Sequence, residues 1–191
     1  GQFTLADGSS TEVDMMYRSE MPYSISYQDG FRVVEIAYEG EELAFTAIVP
    51  DEVDGLDAIE AQLSPENLAA WKSNLYSTEG ELSMPTFEMR YKELLNSTLQ
   101  TLGMNDAFVP GTADFTGISE QSQLNVDIVI HEAWLKVSEE GTEAAAATGV
   151  SVTDASAGEY VYLNRPFLFL IEDKLSGSIL FMGKLADPSL L

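Results

Sequence analysis

An alanine-rich segment constrains the fold of this chain more than any other feature of its sequence. In residues 137–166, a glutamate-rich stretch with one glycine precedes four consecutive alanines, and small and polar residues continue to Gly158. With the two-residue period of a β-strand, Thr142 and every second residue up to Val152 share one face. Such a segment can enter an existing sheet as an added strand. We call it the alanine segment; it comprises Glu139, Glu140, Gly141, Thr142, Glu143, Ala144, Ala145, Ala146, Ala147 and Thr148.

The composition of the alanine segment also permits a helix. Alanine and glutamate are good helix formers, and Glu143 would lie in the first turn of such a helix. The local sequence alone favours this helix, and only the flanking motifs described below reverse that preference.

Size and charge narrow the class of protein. The chain has 191 residues, of which 45% are hydrophobic, and this is enough for one globular domain. Its 32 acidic and 9 basic residues give a net charge of -23, which repels phosphates and anionic lipid. We therefore expect neither a nucleic acid nor a membrane as partner. The absence of cysteine excludes disulfides and leaves the compartment open.

The pattern of apolar residues predicts an α+β fold with antiparallel sheets. Two β-rich runs around a glycine-containing turn predict a hairpin, and leucines at helical spacing on either side of Ser64-Pro65 predict two short helices. A helix that ends at Gly103 is expected after them. The predicted strands are residues 31–37, 43–49, 82–91, 124–137, 160–163, 167–172 and 178–184, and the predicted helix before Gly103 is 93–102.

The sequence lacks the residue patterns of common catalytic sites. It has one histidine, no cysteine, and no glycine-rich phosphate loop. His131 is a possible general base, but a lone histidine among valine and isoleucine residues of a strand is more often a buried, hydrogen-bonded residue. We therefore predict that the chain is not an enzyme.

Two groups of carboxylates invite a metal proposal. Neither follows the spacing of a calcium loop, so solvated acidic surface explains them better, and we predict no metal and no cofactor. The groups are Asp51, Glu52 and Asp54, and Glu39, Glu41 and Glu42. Apolar alternation likewise marks as core candidates Met15, Met16, Phe167 and Phe169.

Motifs that flank the alanine segment resemble one known family. They are His131-Glu132-Ala133, Asn164-Arg165-Pro166-Phe167-Leu168-Phe169-Leu170-Ile171, Phe181-Met182-Gly183-Lys184, Ala113-Asp114-Phe115-Thr116-Gly117-Ile118 and Met15-Met16. In this order they resemble the serpins, the serine protease inhibitor superfamily, and they extend over nearly the whole chain. Serpins are roughly twice as long, so the resemblance implies the carboxy-terminal half of a single serpin domain in residues 1–191, of the prokaryotic type.

The resemblance implies roles for particular residues. The alanine segment corresponds to the hinge of the serpin reactive-centre loop, here about residues 139–160, and His131 to the shutter beneath the sheet that opens. The family's loop register, counted forward from Thr142 and backward from Pro166, gives Ala155 and Ser156 as the reactive bond.

The resemblance also implies a mechanism. A target serine protease cleaves the loop, the loop inserts into the central sheet, and the tethered protease is trapped. In this suicide-substrate mechanism a metastable fold becomes a stable one. Because Ala155 is small, the expected targets are elastase-like or subtilisin-like proteases, outside the cell or at its surface.

Two departures from the family limit the resemblance. Serpins commonly place a lysine where this chain has Thr86, so Glu139 lacks its usual partner at the sheet entry. The strands that precede Phe3 in a serpin are also missing, which predicts a complementary amino-terminal serpin half as partner. Two other functions stay open: a non-inhibitory serpin-like binding or chaperone module, and an inactive fragment that needs a complementary chain.

Overall fold

The chain forms two compact units. This computed structural model describes residues 1–120, 123–142 and 159–190. The first unit comprises Gly1–Phe87 and Lys136–Leu191, and the second comprises Glu88–Leu135. The assignment of the whole chain to a single serpin domain stays a prediction.

The described residues contain strands, short α-helices and two short 3₁₀ turns, which makes the fold α+β as predicted. The strands are β1 (Gln2–Thr4), β2 (Ser10–Glu12), β3 (Met15–Gln28), β4 (Phe31–Ala37), β5 (Leu43–Pro50), β6 (Tyr76–Pro85), β7 (Phe87–Leu94), β8 (Ile130–Ser138), β9 (Gly141–Thr142), β10 (Glu159–Tyr162), β11 (Phe167–Asp173) and β12 (Ile179–Leu185). The α-helices are α1 (Leu56–Glu60), α2 (Pro65–Lys72) and α3 (Asn96–Thr101).

A seven-stranded sheet organises the first unit. Its order is β10-β6-β3-β4-β5-β11-β12, and only the β10–β6 pair is parallel. The long strand β3 holds it together, because its first part pairs with β6 and its last part pairs with both β6 and β4. A bulge between Arg18 and Met21, where Glu20 has a φ of 56°, bends β3 within its pairing to β6.

Strands β5 and β11 are buried on both faces. From Ala44 to Pro50 every residue of β5 is buried, and so is every residue of β11 except its last. Phe45 and Phe169 stack at 5.8 Å on one face, where Phe87 also contacts Phe169. Two-sided burial explains why these strands are nearly continuous apolar runs rather than alternating ones.

Helices α1 and α2 cover the other face of these strands. Ser64 begins α2 as predicted, since its side chain accepts a hydrogen bond from the Asn67 N–H at 3.1 Å and Pro65 follows it. Trp71 of α2 meets Phe31 of β4 edge to face at 4.9 Å. In the described part of the chain no helix is long and apolar enough to cross a membrane.

The strand predicted over residues 124–137 is wrong in its first half. Strand β8 begins only at Ile130, because the preceding backbone is bonded elsewhere. Val126 N–H donates to the Ala107 carbonyl oxygen at 2.8 Å, and Val129 N–H donates to Asn96 Oδ1 at 2.8 Å. These bonds anchor the segment to the α3 region of the second unit.

Other boundaries also differ from the sequence prediction. The single strand predicted over residues 82–91 is two strands, β6 and β7, which separate at Thr86 after Pro85. Proline lacks the N–H that a continuous ladder requires. The helix predicted over residues 93–102 is shorter, because Glu93 and Leu94 still belong to β7. The hairpin of β4 and β5 is confirmed.

A half-buried charge cluster lies at one end of the central strands. Lys72 Nζ of α2 is 2.7 Å from Glu172 Oε2 and 3.1 Å from Glu35 Oε2. Thr46 Oγ1 donates to the same Glu172 oxygen at 2.8 Å. Burial alone would lower the pKa of Lys72, but the hydrogen bonds and charges of Glu172 and Glu35 outweigh it and raise the pKa above its ordinary value.

Replacing Lys72 by methionine should lower the free energy of unfolding by about 2–4 kcal/mol, because the buried Glu172 then loses its cation, while Glu35 keeps Lys174 at 3.3 Å. Lys184→Met is the matched control, since its 2.8 Å pair with Glu60 is exposed, and should cost at most about 1 kcal/mol. Urea unfolding measures both changes, and equal losses would contradict this account. Because folding raises the pKa of Lys72, its contribution is present below its ordinary pKa of 10.5 and declines as the pH rises above it.

Candidate functional site

The base of the alanine segment is a tight hairpin. In the first unit Val137 and Ser138, at the end of β8, pair antiparallel with Thr142 and Gly141 of β9. Glu139 and Glu140 form the two-residue turn between them. Gly141 has a φ of 109°, which side chains strongly disfavour, so the glycine fits the backbone that this return requires.

A cavity of about 490 Å³ lies beneath this hairpin, within the first unit. Strands β3, β4, β5 and β6 contribute a mostly apolar wall, and the hairpin supplies residues 137–141. The apolar lining includes Met16, Met21, Ile36, Phe45, Leu82 and Met84. The hairpin thus lies over the cavity at a place where the sheet below it is incompletely covered.

Carboxylates dominate the mouth of the cavity. Glu139 and Glu140 line it and are exposed, Glu39 joins them, and Arg18 is the cation among the lining residues. Thr86, which takes the place of the lysine expected from the family, donates both its N–H, at 2.9 Å, and its hydroxyl, at 3.3 Å, to the Asp14 carbonyl oxygen. Glu139 is exposed to solvent.

Most of the predicted loop residues lie outside the described residues. These are Glu143, Ala144, Ala145, Ala146, Ala147, Thr148, Ala155 and Ser156. The description resumes at β10, which pairs in parallel with β6 through Glu159–Gly80 and Tyr162–Ser83. The predicted loop covers about residues 139–160. Both of its described ends thus lie on strands of the first unit.

His131 is exposed in the second unit rather than buried. Its ring centroid is 6.2 Å from that of Tyr91. On the same strand, Trp134 Nε1 donates to Glu88 Oε1 at 2.9 Å and is also exposed. The prediction of a buried histidine is wrong for the described chain, and the shutter role of His131 stays a prediction.

The two acidic clusters are solvent-exposed surface. All six carboxylate residues have exposed side chains, as the interpretation of solvated acidic surface predicts; they are Asp51, Glu52, Asp54, Glu39, Glu41 and Glu42. Of the core candidates, Phe167 and Phe169 are buried. Met15 and Met16 are partly buried, and Met16 lines the cavity.

Comparison with known proteins identifies the family. A family model described as "Serpin (serine protease inhibitor)" matches residues 1–188. A "Serine protease inhibitor" from Cyanea capillata is 37% identical over 98% of this chain and 50% of its own length. A "Leukocyte elastase inhibitor" from Xenopus laevis is 35% identical over 97% of this chain and 51% of its own length.

A solved structure agrees with this assignment. The "thyroxine-binding globulin complex with thyroxine" superposes with a TM-score of 0.83 at 27% identity, over 98% of this chain and 50% of that one. The chain therefore belongs to the serpin family and has its fold.

The match covers only part of each relative. The chain spans about half the length of the curated relatives it matches. The relatives named above are animal proteins, so the prokaryotic type stays a prediction, as does the assignment to the carboxy-terminal half. The family description is that of protease inhibitors rather than of enzymes.

Sequence analysis missed one prominent feature of the first unit, a set of exposed tyrosines near the far end of the loop. Tyr160 and Tyr162 alternate with the buried Val161, which is a visible two-residue pattern. Their proximity to Tyr17 depends on strand pairing across β6, which the sequence does not give.

Proposed function

We propose that this chain is part of a serine protease inhibitor that acts as a suicide substrate. The observation that best supports this function is the pairing of Gly141 and Thr142 with the end of β8. These two residues belong to the alanine segment, and they already occupy strand positions. Thr142 is the register partner of Val137, whose side chain is buried.

The chemistry of the first step belongs to the target protease. Its serine attacks the Ala155 carbonyl carbon and the bond to the Ser156 nitrogen breaks, which leaves Ala155 as an acyl-enzyme. The chain supplies the substrate loop and no catalytic group. Cleavage frees residues 143–155 from the constraint of β10.

Insertion of the cut loop into the sheet provides the free energy that traps the protease. Unpaired backbone N–H and C=O groups become ladder hydrogen bonds, each with a net value of about 1 kcal/mol. The strand faces of Thr142 and the alternate residues after it become buried. The covalently attached protease is carried along and its active site is distorted, so the fold itself holds the energy that traps the enzyme.

The residue at the reactive bond sets the proposed target. The alanine at position 155 suits a shallow specificity pocket, which favours an elastase-like or subtilisin-like protease. One relative is itself named a leukocyte elastase inhibitor. We accordingly propose that the inhibitor acts outside the cell or at its surface, with the cytoplasm as the open alternative.

An exposed edge strand supports the complementary amino-terminal serpin half as a partner. Strand β12 lies at one edge of the seven-stranded sheet, and both of its faces carry exposed apolar side chains. An uncovered apolar edge recruits further strands. The exposed residues are Ile179, Leu180, Phe181 and Met182.

A non-inhibitory binding module is the second candidate function. The structural neighbour that was solved with thyroxine favours it. The alanine segment argues against it, because its small side chains suit strand insertion and binding alone does not require them. Covalent trapping of a protease, which is expected of the inhibitor and not of the binding module, distinguishes the two candidate functions.

Replacing Thr142 by arginine in the complete protein should convert the inhibitor into a substrate. A charged side chain on the inward face blocks the first step of insertion, whereas cleavage is unaffected. Gel analysis of protease mixtures should show cut protein in place of the covalent complex. Glu143→Arg is the matched control, because the two-residue period places it on the outward face, and it should still trap. Undiminished trapping by Thr142→Arg would refute insertion.

Mass spectrometry after brief elastase treatment should find a new amino terminus at Ser156. The family's loop register, counted from Thr142 and from Pro166, implies this bond. Ala155→Asp should suppress the cut, because a shallow apolar pocket does not accept a carboxylate, while Ala147→Asp, eight residues earlier, should leave the position of the cut unchanged. Dominant cleavage before Gly149 or after Glu159 would move the register and overturn the assignment.

The chain alone should associate through its open strand edges. Light scattering should detect oligomers, and adding a separately produced amino-terminal half should convert them into a one-to-one complex. Met182→Lys on β12 should reduce the association, and Lys136→Met should not. A monomer with a cooperative melt at high concentration would show that no complementary half is needed.

A further inference from the structure

The cavity beneath the hairpin of β8 and β9 has a wall on one face of the seven-stranded sheet. Met16 and Met84 are register partners across β3 and β6. Ile36 and Phe45 are register partners across β4 and β5. Directly paired residues point to the same face, and all four line the cavity. Met84 and Phe45 are buried, whereas Met16 and Ile36 are only half-buried, so this face is incompletely covered.

A bulge in β3 adds a third methionine to this wall. Arg18 pairs with Leu82 of β6. Three positions later Met21 pairs with Gly80, which is only two positions from Leu82. The extra residue of the bulge therefore turns Met21 to the same face as Arg18. Because Gly80 has no side chain, it leaves room opposite Met21.

Three methionines make the wall adaptable. Met16, Met21 and Met84 have unbranched side chains with a polarizable thioether, which suits apolar ligands of varied shape. The cavity volume of about 490 Å³ lies within the range of small-molecule sites. We call Met16, Met21 and Met84 the methionine wall. It favours an apolar body of the size of a small organic molecule.

The mouth of this cavity is acidic. Glu39 from the turn after β4, and Glu139 and Glu140 from the hairpin, lie there with exposed side chains. Arg18 is the cation among the lining residues. In the described part of the chain no ion pair joins any of these four side chains to a partner. Three carboxylates against one guanidinium make the mouth negative, in a chain whose net charge is -23.

Wall and mouth together select one class of ligand. An apolar body leaves water at the methionine wall, and a cationic head stays hydrated beside the carboxylates, so no charge has to be buried. The same carboxylates repel a fatty acid or any other anion. A neutral apolar molecule gains from the wall alone. An organic cation with an apolar body gains from both.

We propose that the cavity beneath the β8–β9 hairpin binds an organic cation with an apolar body, of the class of long-chain amines. The apolar part lies against the methionine wall, and Glu39, Glu139 and Glu140 attract the cationic head. This inference goes beyond the proposed function, because the ligand is a small molecule and not the protease. Gly141 also lines the cavity, so the ligand lies at the base of the proposed loop.

Calorimetric titration of the complete protein with decyltrimethylammonium, below its micelle concentration, measures this binding. We expect saturable binding of a single ligand per chain. Octyltrimethylammonium, which is shorter by two methylenes, should bind about tenfold more weakly, because each buried methylene contributes to the affinity. Decyl sulfate, with the same chain and the opposite charge, should also bind at least about tenfold more weakly.

Two variants locate the site. Glu139→Gln with Glu140→Gln removes charge from the mouth and should weaken the binding of decyltrimethylammonium about fivefold. Met16→Trp fills the cavity and should weaken it about tenfold or more. The matched control is Asp51→Asn with Glu52→Gln, which changes the net charge equally at exposed residues that do not line the cavity. The control should stay within about twofold of the unsubstituted protein.

Three results would overturn the site. The first is no saturable binding, which includes the case of a cavity filled by another part of the complete protein. The second is equal binding of decyl sulfate. The third is equal losses in the mouth variant and in the control, which would make binding a general effect of net charge.

The test does not depend on whether Met16→Trp folds, because the mouth variant changes only exposed side chains. It is also independent of the proposed function. No measurement uses a protease, so the inhibitor function can fail while the site stands, and the site can fail while covalent trapping is observed.

Discussion

Burial on both faces of β5 and β11 is the constraint on which the rest of the first unit depends. A strand without a solvated face requires cover on each side, so α1 and α2 pack on one face and the Phe45–Phe169 stack fills the other. Charge is tolerated only near the strand ends. The ammonium group of Lys72 pairs there with the carboxylates of Glu35 and Glu172. The Thr46 hydroxyl donates a further hydrogen bond to Glu172.

The seven-stranded sheet contrasts with the short pairing of β8 and β9 at the base of the loop. Among the described residues, strand β9 pairs with β8 through Gly141 and Thr142, and the exposed Glu139 and Glu140 and a cavity lie beside this pairing. At the other described end of the loop, β10 is fixed to β6. The proposed function requires this combination, because loop insertion needs a sheet that holds its shape and accepts one more strand.

The sequence was most informative where local chemistry decides the structure. Ser64-Pro65 predicted the start of α2, and the two apolar runs around a glycine turn predicted the β4–β5 hairpin, because caps and turns depend on adjacent residues. The sequence was misleading where hydrogen bonds between residues far apart in the chain decide the structure. Residues 124–129 have strand-like composition, yet Ala107 and Asn96 take the backbone bonds of Val126 and Val129. The exposed Tyr17, Tyr160 and Tyr162 were missed for the same reason, since Tyr17 approaches Tyr162 only through the register of three strands.

We propose, above all, that the loop of this chain inserts into the sheet as an added strand once it is cut. The most direct test is the melting temperature of the complete protein before and after a single cut at the Ala155–Ser156 bond. Insertion adds ladder hydrogen bonds and buries one strand face, so the cut protein should melt more than about 10 °C higher than the intact protein. A cut protein that melts at the same temperature or lower would behave like any nicked surface loop and would contradict the claim.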